Sequence, residues 1–187
     1  MLPGKIKPKR ITVGIAIAAL IVSAAPAAMA KKPVKVTGTS AGSFSTANFS
    51  YDGVEPGLTS IVNGNDTNGA FGGQTYTEYV ATGEGCTAPD KTAGSLYRLV
   101  GAWSVTNYKN SVQLVAGSKD GSECISTSTG VFGGTSTYTI AGGSGKYFGA
   151  TGTGTDNFEG VVLFPNVSPG GGLVGTIVNQ YTESITP

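Results

Sequence analysis

Histidine is missing from this sequence altogether, tryptophan occurs once, cysteine twice, and charged residues fill only 12% of the 187 positions, against about 25% in typical soluble chains. Without histidine there is no Ser-His-Asp or Cys-His arrangement, and the commonest general base and transition-metal ligand are gone. Two cysteines are too few for a metal site of their own, and no cofactor or metal is expected. Beyond the first thirty residues Leu, Ala, Glu, Lys and Arg are sparse, which excludes a helix bundle, a doubly wound α/β fold and a coiled coil. What replaces them is glycine, 30 residues in all, together with Ser, Thr and Asn. That composition suits short strands joined by tight turns.

The N-terminus reads as an address. Lys5, Lys7, Lys9 and Arg10 form a positive leader, residues 11–25 are apolar and uncharged, and Ala28-Met29-Ala30 sets small residues around an A-x-A cleavage site. This is the pattern of a secretory signal peptide over residues 1–30. The apolar stretch falls short of the roughly 20 residues a spanning helix needs, so no membrane span is expected after cleavage. Cleavage leaves residues 31–187 as one domain. Of the 12 basic residues the leader removes four, leaving eight against 11 acidic ones and a net charge of −3. A mildly acidic chain cannot neutralise a phosphate backbone, so nucleic acid is excluded as a partner. The expected location is secreted or periplasmic.

Cys86 and Cys124 fit an oxidising compartment as one disulfide. The alternative, a catalytic cysteine, lacks a histidine partner. Between the glycines lie runs rich in Val, Ile, Thr, Tyr and Phe, which predict strands over 34–46, 74–82, 95–107, 111–117, 122–129, 136–141, 152–164 and 173–182. About eight strands in one domain point to an all-β barrel or sandwich. Residues 107–110 read as a hairpin loop, Asp120-Gly121 as a second hairpin turn, residues 168–172 as a loop, and residues 53–73 as a long polar connection. In the 95–107 run, period two puts Tyr97, Leu99, Gly101, Trp103 and Val105 on one face and Leu96, Arg98, Val100, Ala102 and Ser104 on the other.

Chemical motifs are few. Gly143-Ser144-Gly145-Lys146 fails as a phosphate loop, because Ile140 and Tyr147 stand where a glycine and a Ser or Thr are required. The carboxylate pairs Asp120 with Glu123 and Asp156 with Glu159 read as solvated groups at turns, with no spacing that fixes glycosidase geometry. Glu78 and Arg98 lie on neighbouring predicted strands. They read as a solvent-facing ion pair, the alternative being a charged floor inside a barrel.

The segment from Tyr138 through Gly152, with Ile140-Ala141-Gly142-Gly143-Ser144-Gly145-Lys146-Tyr147 followed by Ala150-Thr151-Gly152, resembles the strand, glycine turn and strand of the dirigent and allene oxide cyclase barrel superfamily, and the wider set of exported bacterial proteins of that barrel type. Gly142, Gly143 and Gly145 suit the sharp corner, and Tyr147 and Phe148 are expected to plug the barrel end. The resemblance implies a single antiparallel β-barrel of about eight strands around an apolar cavity. It also implies a small hydrophobic ligand and allows an oligomer, since some members form dimers or trimers. The superfamily's plant enzymes steer cyclisation or radical coupling of small hydrophobic molecules, but no mechanism carries over position by position, and no catalytic residue is assigned. Tyr76, Glu78, Arg98 and Trp103 are the residues of suitable type for a ligand pocket; from strand periodicity alone they read as packing and surface residues. Two classes of function follow. One is a non-catalytic exported barrel that binds a small apolar ligand or a partner surface. The other is a dirigent-like or cyclase-like enzyme that confines a reactive intermediate.

Overall fold

The computed structural model describes residues 31–46, 57–109, 112–165 and 173–187. The predicted signal peptide and the 168–172 loop lie outside the described residues. Residues 31–187 form one unit, built from eight strands: β1 (Val34–Thr46), β2 (Leu58–Asp66), β3 (Gly69–Thr87), β4 (Ala93–Tyr108), β5 (Val112–Ser126), β6 (Val131–Gly143), β7 (Thr151–Pro165) and β8 (Leu173–Thr186). Each pairs antiparallel with its neighbour in sequence, and β8 closes on β1 with Val34 opposite Ile185 and Ser45 opposite Val174. Closure removes the free edges that an open sheet exposes. The all-β fold, the ring of eight antiparallel strands and the single disulfide are as the sequence predicts.

Several strands run past their predicted ends, β3 over Gly69–Thr87 and β8 to Thr186 among them, and in two places the element itself differs. The 53–73 stretch contains β2, whose Ser60 and Val62 are buried while Ile61 is exposed. Conversely, Asp120-Gly121 is not a hairpin turn. Strand β5 runs straight through it, with a register shift between Gly117 and Asp120, and Ser118 Oγ donates to the Thr137 carbonyl across the irregularity. Gly121 is there for close approach, because a Cβ would strike the Thr135 carbonyl and Ser136 on β6.

Alternation fills the barrel. In β1, Val36, Ser40 and Phe44 are buried between exposed neighbours, the period expected of a strand with one face inside. One end of the barrel is packed by Val36, Phe71, Tyr108, Leu114, Ile140, Tyr147 and Ile185. The other is packed by Phe44, Phe132 and Phe158 with Leu58, Tyr79 and Ile177 around them. Several rings pack against a glycine of the neighbouring strand: Tyr181 against Gly38, Tyr138 against Gly154, Phe158 against Gly134, Phe132 against Gly160 and Phe44 against Gly175. A Cβ at any of these glycines would occupy the ring's place. The glycine content of the strands is thus a packing device that lets large rings cover the wall instead of crossing the lumen.

The glycine corner between β6 and β7 contains a single 3-10 turn, Gly145–Tyr147. Gly142 and Gly145 have positive φ, 120° and 57°, which side chains rarely adopt. Tyr147 packs into the barrel end, with Lys146 Nζ 4.8 Å from its ring centroid and donating to Asn68 Oδ1 at 3.1 Å. Phe148, expected beside Tyr147 in the plug, is 83% exposed. Successive residues of the turn point to opposite sides, so only one of the two rings enters.

The disulfide joins the outer faces of β3 and β5 across β4. Cys86 pairs with Gly94, and Cys124 pairs with Leu96 on the same strand. A Cβ on Gly94 would press against Cys124 Sγ, so the glycine leaves room for the bridge to pass.

Candidate functional site

Between the two aromatic ends the lumen narrows to a cavity of about 150 Å³. Its wall changes character along the axis. Phe44, Phe132 and Phe158 border it at one end and Phe71 and Leu114 at the other, while Ser40, Ser60, Thr75, Thr77, Ser104, Ser136 and Asn179 form a polar waist. Asn179 Nδ2 donates to Ser40 Oγ at 3.0 Å, a bond across the β8–β1 seam.

Three carboxyl groups enter this waist: Glu123 from β5, Asp156 from β7 and Glu183 from β8. Glu123 is 5% exposed and Glu183 7%. Tyr138 donates its hydroxyl to Glu183 Oε1 at 2.8 Å, whereas Glu183 Oε2 and Asp156 Oδ1 are buried with no hydrogen-bond partner among the described residues. Removal from water disfavours the charged form of an acid. Burial pushes the Glu123 carboxyl up to about 7. Burial, reinforced by the neighbouring Glu183 charge, pushes Asp156 up to about 7. Glu183 is raised by burial against the lowering effect of the Tyr138 hydrogen bond. The Tyr79 hydroxyl, which borders the same cavity, is raised by burial and then by the Glu123 and Asp156 charges. Toward the plugged end, Asp66 Oδ2 accepts from Tyr108 at 2.5 Å and from Tyr181 at 3.1 Å; burial, then Asp66, pushes both phenols well above their ordinary range.

Of the pocket residues expected from sequence, Trp103 borders this cavity and Tyr76, Glu78 and Arg98 do not. Strand β4 carries an irregularity opposite Glu78 and Tyr79, with Glu78 paired to Gly101 and Tyr79 to Leu99, so that Val100 is an extra residue. The extra residue reverses the alternation. Leu99 points inward with Ala102 and Ser104; Trp103 also borders the cavity, but its ring stacks at 6.4 Å on Tyr76, on the outer face. Tyr76 and Glu78 share that outer face, yet each is 1% exposed; Tyr76 lies against Gly57 and donates to Glu78 Oε1 at 2.5 Å. Arg98 is exposed and paired in register with Val80. Glu78 and Arg98 therefore form neither a charged floor inside the barrel nor a solvent-facing pair. The residues that do reach the lumen include one member of each carboxylate pair read as solvated. Positions three apart on a strand face opposite ways, so Glu123 and Asp156 enter while Asp120 and Glu159 remain exposed.

Such a wall can hold a small body between aromatic rings and present it with carboxyl groups that donate or accept near neutral pH. Among the described residues no three acidic or sulfur side chains converge on one point as a metal site would need, and no helix is long and apolar enough to cross a membrane. Compared with protein families, with curated proteins and with solved structures, the chain matches none.

Proposed function

We propose that this chain is exported and works as a non-catalytic barrel holding a small ligand, one with an apolar body, inside its lumen. The observation that carries the reading is the cavity of about 150 Å³ whose wall combines aromatic rings with carboxyl groups, two of whose buried oxygens, Asp156 Oδ1 and Glu183 Oε2, have no hydrogen-bond partner among the described residues. An interior built only for stability fills its voids and pairs its polar groups. The volume matches a void that accepts benzene and lies below the roughly 300 Å³ of drug-sized pockets, so the ligand is about one ring in size. Export rests on the leader over residues 1–30, on the Cys86–Cys124 disulfide and on the resemblance of the glycine corner to exported barrels of the dirigent and allene oxide cyclase type.

Native mass spectrometry of the exported protein, followed by organic extraction, tests this. A chain beginning at Lys31, lighter by two hydrogens than its reduced form and carrying an extractable non-covalent adduct, is the expected result. A chain that arrives empty, and stays empty when offered one-ring compounds, overturns the pocket and turns attention to a partner on the outer surface.

A second reading, an enzyme that orients a reactive intermediate in the dirigent or cyclase manner, is favoured by Glu123 and Asp156. Carboxyls poised near 7 are matched to general acid and base work at neutral pH. It requires that the extracted compound be chemically altered on incubation with the protein and unaltered with Glu123→Gln.

A further inference from the structure

Among the described side chains, the lumen has acidic groups and no basic group to balance them. Among the described side chains every lysine and arginine is exposed, and the sequence has no histidine. Glu123 is buried and accepts no hydrogen bond from any described residue, and one oxygen each of Asp156 and Glu183 is likewise open. Buried carboxyls are ordinarily paired with a cation or fully hydrogen-bonded. Here three of them, on three different strands, border one cavity without either. Two occupants satisfy such a wall. Protons satisfy it at the cost of leaving the open oxygens without donors; a ligand that brings both positive charge and N–H donors satisfies it directly.

The geometry points to a small organic ammonium ion, a primary amine on a body of about one ring, as the ligand class of this lumen. The inference rests on the pocket proposed above and specifies what fills it. An ammonium carries three N–H donors and no acceptor, the complement of the three carboxyl groups that border the cavity. The body has its own complement: the Tyr138 and Tyr181 rings border the acidic waist and pack against Gly154 and Gly38, supplying aromatic surface that favours a cation or an aromatic body. A bare metal ion is a poorer occupant, since no three of these ligands converge. A carboxylate or phosphate ligand meets like charge at the waist.

The test is calorimetric titration of the disulfide-intact barrel at neutral pH with benzylamine and with benzyl alcohol, near-isosteres that differ in charge, repeated with butylamine and butanol to remove dependence on ring shape. Charge-assisted hydrogen bonds in a dry site predict amine affinity at least about tenfold above the matched alcohol. Glu123→Gln and Asp156→Asn each lower amine affinity by about tenfold and leave the alcohols within about threefold. Both variants keep side-chain shape, and each is accepted only if its near-ultraviolet circular dichroism matches the parent. Equal binding of amines and alcohols overturns the cation while leaving the pocket in place. Binding of neither at millimolar concentration overturns the two together. Unchanged amine affinity in both variants also overturns the cation, because it moves the charge away from the waist.

Discussion

The empty barrel should be least stable where most proteins are comfortable, at neutral to mildly alkaline pH. Glu123 has a carboxyl raised from 4.5 to about 7 by burial, and every described lysine and arginine is exposed, so none is buried beside it to neutralise its charge. The folded state therefore holds a proton that the unfolded chain gives up earlier. Stability from this group is fully present below about pH 4.5, declines as pH rises toward about 7, and is level above, each unit in that window being worth about 1.4 kcal/mol. Integrated from about pH 5 to about pH 8, the loss is about 2.5 kcal/mol for Glu123. Asp156, raised from 3.8 to about 7, adds a loss of similar size. For a chain of this length about 1 kcal/mol moves the melting temperature by about 2–4 °C, so each group is worth about 5–10 °C. The assay is thermal unfolding of ligand-free, disulfide-intact protein across that range, for the parent and for Glu123→Gln. The parent should melt highest near pH 5, and the variant should show a shallower slope, the remainder coming from Asp156 and Glu183, which burial also raises. A flat profile, a parent that gains stability toward pH 8, or a variant with the parent's slope would refute the burial of these carboxyls.

Reducing the disulfide, or changing Cys86→Ser, should lower stability by about 4 kcal/mol in the chain-entropy treatment for a bridge spanning 38 residues, read by denaturant unfolding with and without reductant. Gly134→Ala should destabilise the barrel by about 1–3 kcal/mol, because the new Cβ meets the Ser122 carbonyl and the Phe158 ring; an unchanged melt would mean that the strands separate freely. Tyr147→Phe should be neutral or stabilising by up to about 1 kcal/mol, since the hydroxyl is buried without a partner among the described residues; a loss of stability would reveal a bond that the hydroxyl makes.

Period and composition made the barrel legible, and the site was hidden by local departures from period. Strand β1 ends where the alternating run from Val34 to Thr46 ends. Strand β2 was obscured because Asn63, Gly64, Asn65 and Asp66 carry turn chemistry while pairing regularly with β3. The Asp120-Gly121 pair carries a hairpin signature but sits at an irregularity inside β5. One missed strand and one strand read as two offset each other, so the count of eight came out through compensating errors. The extra residue at Val100 exchanged the faces of β4 downstream and sent Trp103 outward. No single-sequence period reveals a bulge in advance. The acids were more accessible than they looked. Tyr181 and Glu183 continue the inward series of Ile177 and Asn179 and lead into Ile185, a stripe that places Glu183 among apolar neighbours. Ending the predicted strand at 182 cut off the residue that mattered.

The division of labour along the barrel axis explains how a small chain tolerates such a lumen. Burying carboxyl groups costs stability, and a uniform core would have no reason to keep three of them. Here the aromatic clusters at the two ends, with Phe44, Phe132 and Phe158 at one and Phe71, Tyr108 and Tyr147 at the other, supply much of the apolar burial, ring closure of the sheet satisfies its edges, and the Cys86–Cys124 bridge staples three strands from outside. None of these devices passes through the waist. Because rings lie over glycines rather than across the lumen, the middle stays open, and its acids can be retained at a cost the ends offset. Acids that weaken the empty protein and strengthen a loaded one make occupancy itself a stabilising event. The barrel that melts lowest above pH 7 when empty should accordingly be the one that gains most from an ammonium ligand, and the two measurements, made on the same protein, constrain each other.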